Sequence, residues 1–291
     1  MFDKMNLRRK AVRGVAATLA GLLVAGGLGF AAAAQEGAAE QPNPSRQSWT
    51  FSGPFGYFDR AQLQRGFQVY KEVCSTCHSL SIPFRTLAQP GGPEYSEGQV
   101  KALAASYKVK DGPDDKGEMF ERPGRPSDMF PPPFPNEQAA AAALGKAPPD
   151  MALLAKARKY ERGFPLFLID PLIQYQELGT DYIYAILNGY TKDDDGNWNE
   201  YYPGHKIAMP KPLSDGAVQY TDGSPQTVQQ YAKDVSAFLM WAAEPTLEQR
   251  KKIGFRVMVF LIVFAGLLYF TKKRIWAKAH GDEHGEPMVS H

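Results

Sequence analysis

Apolar side chains fall at helical spacing in two stretches of this chain. Leu63, Phe67, Tyr70 and Val73 share one face of a segment preceded by Asp59, a residue suited to cap a helix start. Val228, Tyr231, Val235, Phe238, Leu239 and Ala242 form one face of a second helix predicted over Thr227–Ala243. Met151 opens another amphipathic stretch, and Asn136 predicts a cap for a short helix through Ala139–Leu144 that stops at Gly145. Between them, Gly112 to Asp150 is rich in proline and glycine. Met129, Phe130 and Phe134 make it an ordered loop packed on the domain and not a flexible linker. A hairpin turn is expected between Tyr190 and Trp198; Asp193–Asp195 lack the glycine position and distal glutamate of a calcium loop.

Two segments are apolar without any face. Gly14 to Gln35 is uncharged, follows Arg8, Arg9, Lys10 and Arg13, and closes with Ala32-Ala33-Ala34, the layout of a secretory signal peptide cleaved after Ala34. A retained N-terminal anchor is the competing reading, which the abundance of Ala and Gly and the cleavage pattern disfavour. Ile253 to Phe270 is interrupted only by Arg256, whose side chain can snorkel. At ~1.5 Å per residue it spans roughly 27 Å, a membrane's hydrocarbon thickness. Its flanks, Arg250-Lys251-Lys252 and Lys272-Lys273-Arg274, are equally basic, so the signal peptide and not the charge bias orients it. The expected organisation is a signal peptide over residues 1–34 and an extracytoplasmic domain over 35–247. A single-pass anchor with basic flanks follows over 248–274, and then a cytoplasmic tail over 275–291. In a bacterial cell that places the domain in the periplasm and the anchor in the inner membrane.

Charge sharpens this division. The net charge of +2 hides basic termini around a middle that, from Glu36 to Leu247, holds 26 acidic against 20 basic residues. Such a domain suits a basic soluble partner, although the excess also serves solubility. Nothing in the pattern points to nucleic acid, a nucleotide loop, a catalytic triad or paired catalytic carboxylates.

The chain has two cysteines, Cys74 and Cys77, followed directly by His78. This excludes a disulfide framework and any four-cysteine metal site. Cys-x-x-Cys-His is the attachment signature of c-type haem. Two thiols on one turn each bond a vinyl group, and the adjacent imidazole binds iron. A thioredoxin-like redox pair is the alternative, but its strand and Gly/Pro context is missing. The opposite iron ligand decides between a closed electron carrier and an open, peroxidase-like site. Met209 lies in Ile207-Ala208-Met209-Pro210-Lys211-Pro212, a loop that its prolines hold extended. His205, four residues earlier, is the rival ligand, and spacing leaves both open. Met240 falls on the face of the Thr227–Ala243 helix, where core packing is expected.

The chain resembles the cytochrome c1 family, the haem subunits of the ubiquinol–cytochrome c oxidoreductase (cytochrome bc1) complex, in an α-proteobacterial form. The likeness is carried by Gly66 through His78, Arg125-Pro126-Ser127-Asp128, Ala147-Pro148-Pro149-Asp150-Met151 and Ala157-Arg158. It continues in Tyr182 through Tyr190, Met209-Pro210, Ala232 through Val235, and Trp241-Ala242-Ala243-Glu244-Pro245 just before the anchor. The resemblance implies a mainly α, class I-type cytochrome c domain with long loops, followed by one C-terminal transmembrane helix. It implies one covalent haem c ligated by His78 and Met209, with Arg158 against a propionate and Tyr182 near the same edge. It implies cytochrome b and a Rieske iron–sulfur protein as partners in a dimeric complex, with a basic cytochrome c as acceptor. Apart from the resemblance, the acidic run Asp193–Asp195 is also a candidate docking surface for such an acceptor, beside its reading as a hairpin turn. The chain would be an electron-carrying subunit, not a catalyst on its own. A free-standing anchored cytochrome serving an oxidase is the alternative function. No extra cysteine pair braces the Met209 loop, so packing and the prolines must hold it.

Overall fold

The computed structural model describes residues 42–160, 177–191 and 197–281. The segment read as a signal peptide, the turn at Asp193–Asp195 and the chain beyond Gly281 lie outside the described residues.

Seven α-helices and one two-stranded ladder are present among the described residues. Helix α1, Arg60–Glu72, starts as its sequence predicts, with Asp59 accepting from the Gln62 amide at 3.0 Å. Helix α2, Glu97–Ala105, opens with a capping box between Ser96 and Gln99. The strands β1, Lys108–Asp111, and β2, Phe120–Pro123, pair antiparallel, Lys108 opposite Pro123. Helix α3, Glu137–Leu144, is capped by Asn136 and ends at Gly145 in the left-handed conformation. Helices α4, Leu154–Ala157, and α5, Leu178–Asn188, are short; α6, Val228–Ala243, starts at a Thr227 cap. Helix α7 runs unbroken from Leu247 to Gly281.

The mainly helical fold expected from the sequence is the observed one. Helix α6 is its spine: Tyr231, Val235, Phe238, Leu239, Met240 and Trp241 are buried, and α1, α4 and α5 all pack on it. Met240 is fully buried within the hydrophobic core cluster, the packing position expected for it. At the α1–α6 crossing the backbones nearly touch, since a Cβ on Gly66 would stand 2.1 Å from the Asp234 carbonyl oxygen. Asp234 itself is buried and accepts from Arg65 Nε at 2.9 Å, Tyr220 Oη at 3.0 Å and Gln230 Nε2 at 2.9 Å. These charge-assisted bonds compensate the desolvation of the carboxylate.

The Pro/Gly-rich segment is ordered, with Phe130 buried between Phe84 and Tyr107. Met129, expected to pack with it, is instead exposed, because its backbone pairs with Pro83 and turns the side chain outward. The two strands had no apolar alternation to announce them. Their ladder is supported by Arg122, which binds both Asp111 and Asp128.

The Trp241–Pro245 block has a physical reason. Trp241 fills the space over Gly92, where a Cβ would come within 2.7 Å of the indole. Glu244 then joins Lys156 of α4 at 2.6 Å and Arg250 of α7. Helix α7 is long and apolar enough over Leu247–Ala277 to cross a membrane, and no residue of its apolar window is buried by the described residues.

Candidate functional site

Helix α1 does not stop cleanly. Val73 stays helical, its amide bonded to the Val69 carbonyl, and Cys74–Thr76 add a tighter 3₁₀ turn. The amides of Cys77 and His78 both donate to the Cys74 carbonyl, at 3.1 and 2.9 Å. One turn therefore gathers Cys74, Cys77 and His78. The turn is held on the core by Tyr70, whose hydroxyl donates to the His78 carbonyl at 3.3 Å.

His78 is buried, 8% exposed, and its Nδ1 lies 2.8 Å from the Pro149 carbonyl oxygen. A carbonyl only accepts, so Nδ1 carries the proton and Nε2 keeps its lone pair. That is the tautomer needed for a metal-binding imidazole with its ring direction fixed by an outer partner. Burial lowers the pKa of His78, against the Pro149 bond and the Asp150 charge, which raise it. Burial first, then Cys77, pushes the Cys74 thiol up to about 12. A disulfide-exchange cysteine needs the reverse, a depressed pKa, so Cys74 does not resemble a thioredoxin-type nucleophile. Two thiols on one turn, beside a buried imidazole whose Nδ1 is committed to a carbonyl, fit covalent haem attachment with axial ligation.

The Pro149 carbonyl is positioned by a clamp that sequence reasoning did not identify. Asp150 accepts from the amide and hydroxyl of Ser81, at 3.1 and 2.7 Å, and from the Ala152 amide at 2.8 Å. The Met151 amide donates to the Ser79 carbonyl at 2.9 Å. The 149–152 turn is thus fastened to 79–81, immediately after the candidate ligand. A proline pair followed by an aspartate before an amphipathic stretch carries the signal of an Asx turn. Its target, 70 residues away, is not readable locally.

Met209 is placed by other means. Trp198 and Lys206 form an antiparallel bridge, closed by Asn199 N–H to the His205 carbonyl and Ile207 N–H to the Asn197 carbonyl. The Tyr190 hydroxyl donates to the Met209 carbonyl at 2.9 Å, and Met209 is half-buried. His205 turns back on this hairpin: its ring stacks on Trp198 at 5.2 Å and its Nδ1 lies 3.1 Å from the Asn199 carbonyl oxygen.

Arg158 and Tyr182 come from adjoining elements. Arg158 is the exposed C-cap of α4, bonded by its amide to the Leu154 carbonyl. Gly179 lets α5 approach so closely that a Cβ there would stand 2.5 Å from the Arg158 carbonyl oxygen. Tyr182 follows one turn later, half-buried. No hydrogen bond or ion pair among the described residues joins Arg158 or Met209 to the Cys74–His78 turn.

The profile of the Cytochrome C1 family matches residues 49–279. The chain is 58% identical over 276 residues to the cytochrome b/c1 of Bradyrhizobium diazoefficiens, covering 91% of this chain and 40% of that protein. It is 49% identical over 244 residues to the cytochrome c1 of Blastochloris viridis, covering 80% of this chain and 86% of that protein. To the cytochrome c1 of Rhodospirillum rubrum it is 42% identical over 282 residues, 88% of this chain and 94% of that protein. The chain thus spans less than half of the first relative and most of the other two.

Proposed function

Because the chain belongs to the Cytochrome C1 family, we propose that it is the haem-bearing, electron-transfer subunit of a cytochrome bc1 complex. In that role it takes electrons from a Rieske iron–sulfur protein and delivers them to a cytochrome c. The observation that carries this reading is the Cys74–His78 turn with Nδ1 of His78 committed to Pro149. When bound, haem c supplies a one-electron ferric/ferrous couple. The chain's residues divide the remaining work. Cys74 and Cys77 hold the group through thioethers, and His78 and Met209 are its two iron ligands. The stacking of His205 on Trp198 supports Met209 over His205 as the second ligand. Arg158, exposed and without an acidic partner among the described residues, offers its guanidinium to a propionate. Tyr182, on the adjoining helix, lines the same edge.

The membrane layout belongs to the same proposal. Residues 1–34 are a removed signal peptide, and 35–247 form a periplasmic domain. Residues 248–274 are a single anchor in the bacterial inner membrane, beside cytochrome b of a dimeric complex, and 275–291 are cytoplasmic. The excess of acidic residues in the domain suits a basic cytochrome c as acceptor.

The test is Met209→Leu in the purified complex. The thioether-to-iron charge-transfer band of the oxidised protein is expected to vanish, the potential to fall, and quinol-dependent cytochrome c reduction to fail. Retention of the band, or rapid carbon monoxide binding by the reduced wild-type protein, overturns the ligand assignment. Purification without cytochrome b under mild detergent overturns the complex.

A further inference from the structure

Residues 50–58 make a short loop fastened to the start of α7. The Phe58 amide donates to Glu248 Oε1 at 2.9 Å, and the Lys251 ammonium donates to the Phe51 carbonyl. The loop closes through the Tyr57 amide to the Thr50 carbonyl at 3.1 Å. Phe51 is fully buried, stacked on Trp49 at 5.4 Å and packed on Phe58 at 4.9 Å. Gly56 has no room for a side chain, since a Cβ would stand 2.2 Å from the Ser52 carbonyl oxygen. A glycine is required there for the backbone to fold so tightly. The loop is a turn of fixed shape, tied to the domain on one side and to the long helix on the other.

What this turn holds outward is apolar. Phe55 is 74% exposed and Tyr57 62%. The Phe55 ring meets the ring of Phe255, itself 55% exposed, edge-on at 5.5 Å. Phe255 is the third residue of the apolar run that begins at Ile253, and it lies about 6 Å along the axis beyond Lys251. The loop tip therefore stands level with the first turn of the segment read as membrane-spanning, just past its basic flank. Aromatic rings gather at this depth in membrane proteins because they present an apolar body to the acyl chains and tolerate the polar boundary. We propose that residues 52–57 are a second membrane contact, with Phe55 and Tyr57 entering the boundary between headgroups and acyl chains beside α7. The occupant of this patch is lipid, because its rings continue the same uncovered surface that α7 offers to the bilayer. With a helix and a loop both engaged, the tilt of the domain over the membrane is fixed at two points.

The inference rests on α7 spanning the membrane, and the test separates the two. A nitroxide is attached to a single introduced cysteine in the full-length holoprotein in lipid nanodiscs, Cys74 and Cys77 being held as thioethers. Collisions with oxygen, which concentrates in the bilayer, are compared with collisions with a water-soluble nickel chelate. Phe55→Cys and Tyr57→Cys report the loop, Val263→Cys the helix, and Met119→Cys a water-exposed reference. The oxygen-to-nickel ratio at 55 and 57 is expected to be several-fold above that at 119 and below that at 263. A water-like ratio at 55 and 57 with a lipid-like one at 263 overturns the loop contact alone, as does shielding from both reagents, which means protein cover. A water-like ratio at 263 overturns the membrane-spanning reading as well.

Discussion

The two sides of the candidate haem site are built differently. On the His78 side, a buried imidazole is fixed by Pro149, the Pro149 turn is fastened by Asp150, and the helix that delivers it crosses α6 in backbone contact at Gly66. On the Met209 side, the residue rides on a loop with one bridge, its own prolines and a single side-chain bond from Tyr190. Core packing therefore governs the proposed imidazole ligand, and a few polar contacts govern the proposed thioether ligand. Damage to the first side should appear as lost folding, and damage to the second as changed ligation in a folded protein.

The largest expected effect is at Gly66. Gly66→Val has no space at the α1–α6 crossing, and forcing those backbones apart costs about 4 kcal/mol. Thermal unfolding of the detergent-solubilised holoprotein should show a sharply lowered midpoint or no folded protein. A midpoint near wild type would mean that the crossing is not the foundation of the His78 side.

The next effect concerns α5, which leads into the Met209 side. Asp181 is fully buried, accepting from Trp49 Nε1 at 2.8 Å and the Gln47 amide at 3.1 Å. Burial pushes its pKa up to about 6 from 3.8, against those hydrogen bonds and Arg46, which lower it. A carboxyl raised in the folded state binds more protons there than in the unfolded chain. Its contribution to stability is complete below about pH 4 and is lost as pH rises through about 6. The loss is on the order of 3 kcal/mol. Urea unfolding at pH 4.5 and pH 7 should show this slope in wild type and a flatter one in Asp181→Asn. Equal slopes would remove Asp181 as its source.

Much of the fold was legible because it follows local rules. The Asp59 and Asn136 caps and the faces of α1 and α6 announce themselves by residue type and spacing. The Cys74–His78 turn was legible for the same reason. Strands β1 and β2 were not, because Lys108-Val109-Lys110-Asp111 and Phe120-Glu121-Arg122-Pro123 carry no apolar alternation and depend on Arg122 reaching two aspartates. Asp150 and Tyr190 were missed as parts of the site because each acts on a residue that only the fold brings near. The proline-stiffened loop favoured Met209 without excluding His205, and it was the resemblance that chose between them.

A milder lesion on the His78 side is Asp150→Ala. It removes three hydrogen bonds, one from the Ala152 amide and two from Ser81, partly exposed bonds together worth about 2 kcal/mol. The unfolding midpoint should fall, while carbon monoxide binding by the reduced protein stays as slow as in wild type. Faster binding without a stability change would reverse the division drawn between the two sides.

Tyr190→Phe is the smallest change and the most discriminating. It removes one hydroxyl, leaves the ring in place, and costs about 1 kcal/mol as a lost hydrogen bond to the Met209 carbonyl. Global unfolding should barely register it. The Met209 backbone would keep its prolines and the Trp198–Lys206 bridge but lose the contact that ties it to the end of α5. In the proposed ligation the thioether is the weak ligand, so a small increase in its freedom would move the balance between bound and open iron more than it moves folding. Faster carbon monoxide binding and a weaker charge-transfer band are expected in Tyr190→Phe. A loss of stability matching Asp150→Ala, with ligation untouched, would mean that this loop is held by packing after all.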